Sequence, residues 1–447
     1  MRERQGIVRG MRSLALALAV SALAGCSEGP SMPRLADLNP FAEKEVPLPG
    51  KRVPIIAATE SLPGELAAGD RPVALPPPQV NAAWSQPGGS ANNALGHLVV
   101  GASLKQTWTA DAGTGSSKSA KLTASPIVYE GRIFTLDADS EVRAFSAAGG
   151  GLAWKASMRP EGQRGNGGHG GGIAAENGRI YAASGFGTVA AIDAQTGKKL
   201  WEKPLGVALR ASPTVAGGRL VVIAADGRAF CLSTTDGAEL WVYRGLPERA
   251  SLIFNPSPAI AGDIVLLPFP SGEMVAVRLT DGAQIWTENL ARARMASSIA
   301  SMSDVGRPVV DGDVAYAVGH AGRMIATKVR TGERLWQLSV PSIQMPWTAG
   351  DNVFVVDTQG QLMAISRRDG KIVWTAKLPG ANTWSGPTLA GGQLWLVSGK
   401  GQLVGVDAVT GRLGAQLNVG QASFVAPVVA DGRLYVLTDE ARLVAFN

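Results

Sequence analysis

The chain has 447 residues, of which 56 are Gly, 27 Pro, 11 Trp and only two Cys. Its formal net charge of +6 falls to about +3 once residues 1–25, with four Arg and one Glu, are set aside; the remaining charges are mixed, which leaves nucleic-acid binding without support. Abundant Gly, evenly spread β-branched residues and scarce amphipathic helical runs exclude a helical bundle and point to many short strands joined by tight turns.

Residues 1–25 read as a signal peptide. Arg2, Arg4, Arg9 and Arg12 form a basic start, and Leu14 to Ala22 is an apolar run of roughly nine residues, too short for the ~20 that span a bilayer. The segment ends Leu23-Ala24-Gly25-Cys26, which resembles the lipobox of bacterial lipoproteins. That resemblance implies a diacylated Cys26 as mature N-terminus, and Ser27 in place of Asp implies onward export to the outer membrane. With Cys26 lipidated, Cys231 has no disulfide partner, and its apolar surroundings mark it as a buried, inert thiol.

Residues 26–103 are punctuated by Pro, including Pro76-Pro77-Pro78, and show little hydrophobic periodicity. They read as a largely disordered tether, with a far end near Trp84 that is free to pack onto the body.

Residues 104–447 are self-similar. In the copy from Ser212 to Trp241, four strand-like runs are separated by Gly217-Gly218, Asp226-Gly227 and Asp236-Gly237, dipeptides that supply the positive φ of tight hairpins. A closing Gly-x-x-x-Trp element recurs at Gly150…Trp154, Gly197…Trp201, Gly237…Trp241, Gly282…Trp286, Gly332…Trp336 and Gly370…Trp374, while Gly411…Ala415 has lost the Trp. Spacings of 38 to 50 residues match four-stranded propeller blades. One more copy is split: the tail stops at Asn447 without a closing strand, and Leu104 to Trp108 supplies one at the front. The expectation is an all-β, eight-bladed β-propeller of four-stranded antiparallel blades, closed by pairing of the N- and C-terminal strands.

Catalytic chemistry is poorly represented. His97, His169 and His320 lie in Gly-rich or turn-like contexts without metal-ligand spacing, and no GxSxG occurs within residues 104–447. The Gly-rich run 165–172 lacks the Lys-Ser/Thr of a phosphate cradle and reads as a loop leading into blade 2.

The repeat, as in Ala191-Ile192-Asp193-Ala194-Gln195-Thr196-Gly197-Lys198-Lys199-Leu200-Trp201, resembles the blade of quinoprotein-type propellers. Two families use it: pyrroloquinoline quinone dehydrogenases, and the BamB family of lipoproteins from the outer-membrane β-barrel assembly (Bam) machinery. The dehydrogenase resemblance implies adjacent cysteines and a Ca²⁺ ion held by Glu, Asn and Asp; this chain has no Cys-Cys pair, is short and carries the lipobox-like segment. The BamB resemblance therefore fits better. It implies a non-catalytic scaffold without cofactor, anchored by lipid to the periplasmic face of the outer membrane. Its implied partners are the BamA POTRA domains, other Bam subunits and unfolded outer-membrane precursors. It also implies partner contacts at Val207, Leu209 and Arg210, similar to a Leu-x-Leu-Arg stretch, and at Asp304 within Ser303-Asp304-Val305-Gly306, where Gly306 replaces a second acid. A quinone-dependent periplasmic dehydrogenase is the alternative.

Overall fold

A computed structural model describes residues 72–118, 120–163, 170–246, 255–291, 304–381 and 383–447. The proposed signal peptide, Cys26, His169 and most of the Gly-rich loop lie outside the described residues.

The short strands form eight four-stranded antiparallel sheets. Blade 1 spans residues 127–157, blade 2 171–204, blade 3 214–244, blade 4 259–289, blade 5 309–338, blade 6 347–377 and blade 7 384–418. Blade 8 takes three strands from 428–446 and its outermost from the front of the chain. That strand, Gln106–Asp111, pairs antiparallel with the last, Arg442–Phe446, with Gln106 opposite Phe446 and Asp111 opposite Arg442. The expected ring and its closure are both present.

Burial follows strand position. The second strand of blade 4, Ile264–Pro268, is buried at every residue because neighbouring blades cover both of its faces, so it reads as a continuous apolar run. Outermost strands such as Leu152–Ser157 are largely exposed along their length.

The Gly-x-x-x-Trp element has a specific geometry. Each Gly lies in the last hairpin of its blade with φ between +71° and +74°. A Cβ added to Gly237 would come 2.8 Å from the Trp201 ring of the preceding blade, and Gly150, Gly197, Gly282, Gly332, Gly370 and Gly411 face Trp108, Trp154, Trp241, Trp286, Trp336 and Trp374 in the same way. In all of these but Trp108 the indole N–H then donates to a carbonyl of that next blade, for example Trp154 to Ala194 at 3.1 Å, Trp241 to Leu279 at 2.9 Å and Trp286 to Val329 at 2.8 Å. Gly receives the indole from one side, and the Trp four residues later passes the contact on. Large apolar rings with a satisfied polar edge are well suited to such junctions.

Ala415 breaks the series for a structural reason. The hairpin in blade 8 that would receive a Trp there does not exist, because the chain ends occupy its place: Lys105 N donates to Asn447 O at 2.9 Å, and Asn447 N to Lys105 O at 3.0 Å.

Residues 72–103 correct the tether assignment, since this stretch belongs to the folded body. Trp84 is 2% exposed, and Val73 and Leu98 are buried with it. The segment, here termed the lace, runs once around the inside of the ring and bonds the blades in order. Asn81 Nδ2 donates to Val429 O of blade 8 at 2.7 Å; Trp84 exchanges backbone bonds with Val128 of blade 1; Ala175 N of blade 2 donates to Ser85 O. Gln86 Nε2 reaches Val215 O of blade 3, Ile260 N of blade 4 donates to Ala91 O, and Asn92 Nδ2 donates to Val310 O of blade 5. Trp347 Nε1 of blade 6 donates to Gly96 O, and Leu98 N to Leu389 O of blade 7. His97 adds a brace, with Nε2 accepting from Gly392 N and Nδ1 therefore donating to Pro76 O, each at 2.8 Å.

The physical cause is the open edge of each innermost strand. Eight such edges face the channel, and buried backbone groups need partners. Backbone amides together with Asn and Gln side chains supply them without any hydrophobic period. The apolar residues of the lace join those of blades 6, 7, 8 and 1 in one buried cluster.

Candidate functional site

Connections between successive blades emerge on one face of the ring, beside the turns that join the two middle strands of each blade. The sequence-predicted residues lie on this face. Leu209 bridges Ala224 at the approach to blade 3, and Val305 bridges Gly319 at the equivalent approach to blade 5. Asp304 O accepts from His320 N at 2.9 Å, next to that second bridge.

Topology thus places the four residues on one face, but not all as accessible contacts. Arg210 is exposed and Val207 half-buried, whereas Leu209 has 0% exposure and Asp304 2%. Leu209 packs with Val215, Leu220 and Phe230 in the blade 2–3 core. Leu209 holds the loop on which Arg210 is exposed, and the Leu209 and Asp304 side chains are buried in the free chain. Sequence spacing cannot separate a displayed Leu from a packed one.

The same face carries a feature the sequence reading missed. A funnel of about 330 Å³ opens over the channel, with Trp84 and Pro87 of the lace at its floor and Arg307, Asn255, Trp384 and Phe424 among its walls. Arg307 Nε donates to Ser257 Oγ at 2.6 Å, and its two terminal nitrogens donate to Pro87 O and Asn255 O at 3.1 Å each. Desolvation pulls its guanidinium down to about 10. Phe424 projects at the rim, 53% exposed. Only the position of Arg307, two residues after the bridging Val305, could have hinted at this in sequence.

Burial pushes the Cys231 thiol up to about 12, in keeping with an inert core cysteine. Burial also raises the Asp439 carboxyl, to about 6, against a backbone hydrogen bond from Phe424 and the charge of Lys121.

A Ca²⁺-assisted quinone does not fit the donor set. Among the described residues no three His, Cys, Asp or Glu side chains converge, and Asp357 is the sole carboxylate lining the funnel. Its Oδ1 accepts the N–H groups of Gln359 and Gln361 in its own turn, each at 2.8 Å.

Comparison with known proteins separates fold from family. The chain is similar in structure to BamB from Moraxella catarrhalis, with a TM-score of 0.66 and 20% identity over 77% of this chain and 100% of that one. It is equally similar in shape to a quinohemoprotein alcohol dehydrogenase from Pseudomonas putida HK5, with a TM-score of 0.66 and 14% identity over 82% of this chain and 80% of that one. At such identities both likenesses speak to the propeller alone. In sequence, the chain is 31% identical over 144 residues to the outer membrane protein assembly factor BamB of Shewanella oneidensis, covering 31% of this chain and 36% of that relative. A family model described as outer membrane protein assembly factor BamB matches residues 138–376 and 373–447. With that match running from blade 1 to the C-terminus, the chain belongs to the BamB family of outer membrane protein assembly factors.

Proposed function

We propose that this chain is a non-catalytic scaffold subunit of the outer-membrane β-barrel assembly complex. In this reading Cys26 carries the lipid that holds it to the periplasmic side of the outer membrane. The loop face binds the POTRA domains of BamA, and the rigid ring orients them while precursors fold and insert. Family membership across the repeats is the observation that carries the reading. The exposure of Arg210 beside a fully packed Leu209 supports it, because a cation held on a rigid loop is a suitable interface anchor.

The test is a titration of purified BamA periplasmic domain against the protein. Arg210→Glu is expected to weaken binding by about tenfold or more, equivalent to about 1.4 kcal/mol. Arg330→Glu, at an exposed arginine in the last hairpin of blade 5 on the opposite face, is the control. Unchanged affinity for Arg210→Glu removes the site assignment. The alternative of a quinone-dependent dehydrogenase, prompted by the shared fold, requires Ca²⁺-dependent dye reduction after addition of the quinone. A protein that remains inactive under those conditions counts against it.

A further inference from the structure

The funnel contains more hydrogen-bond donors than its own walls use. Arg307 has five N–H groups, and the bonds to Ser257, Pro87 and Asn255 use three, which leaves two without a partner among the described residues. No ion pair to Arg307 exists among the described residues, and its three hydrogen-bond partners are neutral oxygens. Trp84 lines the funnel with its ring; its side chain is 2% exposed, and its Nε1 is buried. Arg307 is packed deep among neighbouring atoms and yet keeps accessible surface, because it fronts the cavity. The one wall carboxylate, Asp357, is engaged by its own turn.

We infer that the funnel is a binding site for a flat, apolar molecule bearing a carboxylate, which the two remaining Arg307 N–H groups would hold. A planar guanidinium matches a planar carboxylate in a paired geometry that a neutral ligand cannot use. Trp84, Trp384, Met345 and Phe424 provide the apolar surface for the rest of the molecule. The volume of about 330 Å³ suits a ligand of one or two rings and lies within the range of small-molecule sites. A low local dielectric strengthens such a pairing, and the lowered Arg307 value reports that environment. Free aromatic acids and the C-terminal residue of a peptide share this chemistry.

The experiment is calorimetric titration of the purified full-length protein with 1-naphthoate and with the neutral 1-naphthalenemethanol. The acid is expected to bind at least about tenfold more tightly than the alcohol. Arg307→Gln should abolish the preference. Because Arg307 also ties down Pro87, its replacement could unfold the floor; the acid–alcohol comparison on the unaltered protein stands without it. Displacement of 1-naphthoate by glycyl-glycyl-phenylalanine, but not by its C-terminal amide, would assign the site to a peptide end. Absence of displacement would assign it to a free acid. Equal affinity for acid and alcohol, or no binding of the acid at millimolar concentration, overturns the inference. None of these measurements involves BamA, so they can fail while the scaffold reading stands.

Discussion

Replacing Gly237 with Ala adds one methyl at a point 2.8 Å from Trp201 Cε3 and 2.9 Å from Trp201 Cζ3, on a residue with φ of +73°. The backbone conformation alone costs an Ala about 1–2 kcal/mol. Crowding the indole, which is held from its other edge by the bond to Thr234 O at 3.1 Å, adds about 1–3 kcal/mol. Gly262→Ala separates the two contributions, because Gly262 also has a positive φ of +61° but meets nothing within 4 Å. The expected losses are about 3 kcal/mol at Gly237 against about 1–2 kcal/mol at Gly262. In a Trp201→Ala background the Gly237 substitution should fall to the Gly262 value, a coupling of about 1–2 kcal/mol. The assay is equilibrium urea unfolding followed by tryptophan fluorescence and far-ultraviolet circular dichroism, with coincident transitions checked before free energies are extracted. If Gly237→Ala and Gly262→Ala cost the same, the glycine does not serve the indole and the account of the blade junction is wrong.

Two further outcomes test the lace and the loop face. A chain beginning at residue 72 should unfold at the same urea concentration as the mature protein, whereas one beginning at 104, which lacks the lace, should lose stability or aggregate; equal stability of the two would show that the lace bonds contribute nothing. At Asp439 the folded carboxyl is raised to about 6 from 3.8, so the folded state binds the extra proton: the protein gains stability as pH falls from 6 towards 4 and carries the full penalty above 6. Asp439 is only half-buried, so solvent screening reduces this to about 1 kcal/mol. Asp439→Asn should therefore raise the melting temperature at pH 7 and flatten its dependence between pH 4 and 6. A slope unchanged by the substitution would assign it to another group.

Blade number, hairpin positions and the split eighth blade were legible in the sequence because each rests on a local rule. Asp-Gly and Gly-Gly pairs impose hairpins, and Gly150 to Trp374 repeat the junction element at blade spacing. The lace was not legible, since its order comes from contacts with eight separate edges. Asn81, Gln86 and Asn92 bond to Val429, Val215 and Val310, hundreds of positions away in some cases, and nothing in their local pattern distinguishes them from a solvated linker. A Trp amid prolines was the one local sign. Leu209 illustrates the converse limit: local spacing does not tell a packed side chain from an exposed one, and in this loop Leu209 is buried while Arg210 is exposed. Arg307 was overlooked because a lone Arg in a loop becomes notable only when the ring surrounds it.

The substitution of Ala415 for a tryptophan has a mechanical consequence. Seven indole couplings hold the ring, and the eighth boundary, between blades 7 and 8, has none. What spans that boundary is the apolar cluster that the lace completes, with Leu98 against blade 7 and Asn81 bonded to blade 8. Load applied through the chain ahead of residue 72 is therefore delivered to the segment that bridges the one joint of the ring without an indole coupling. Fracture under tension should begin there, with the first and last strands parting only afterwards.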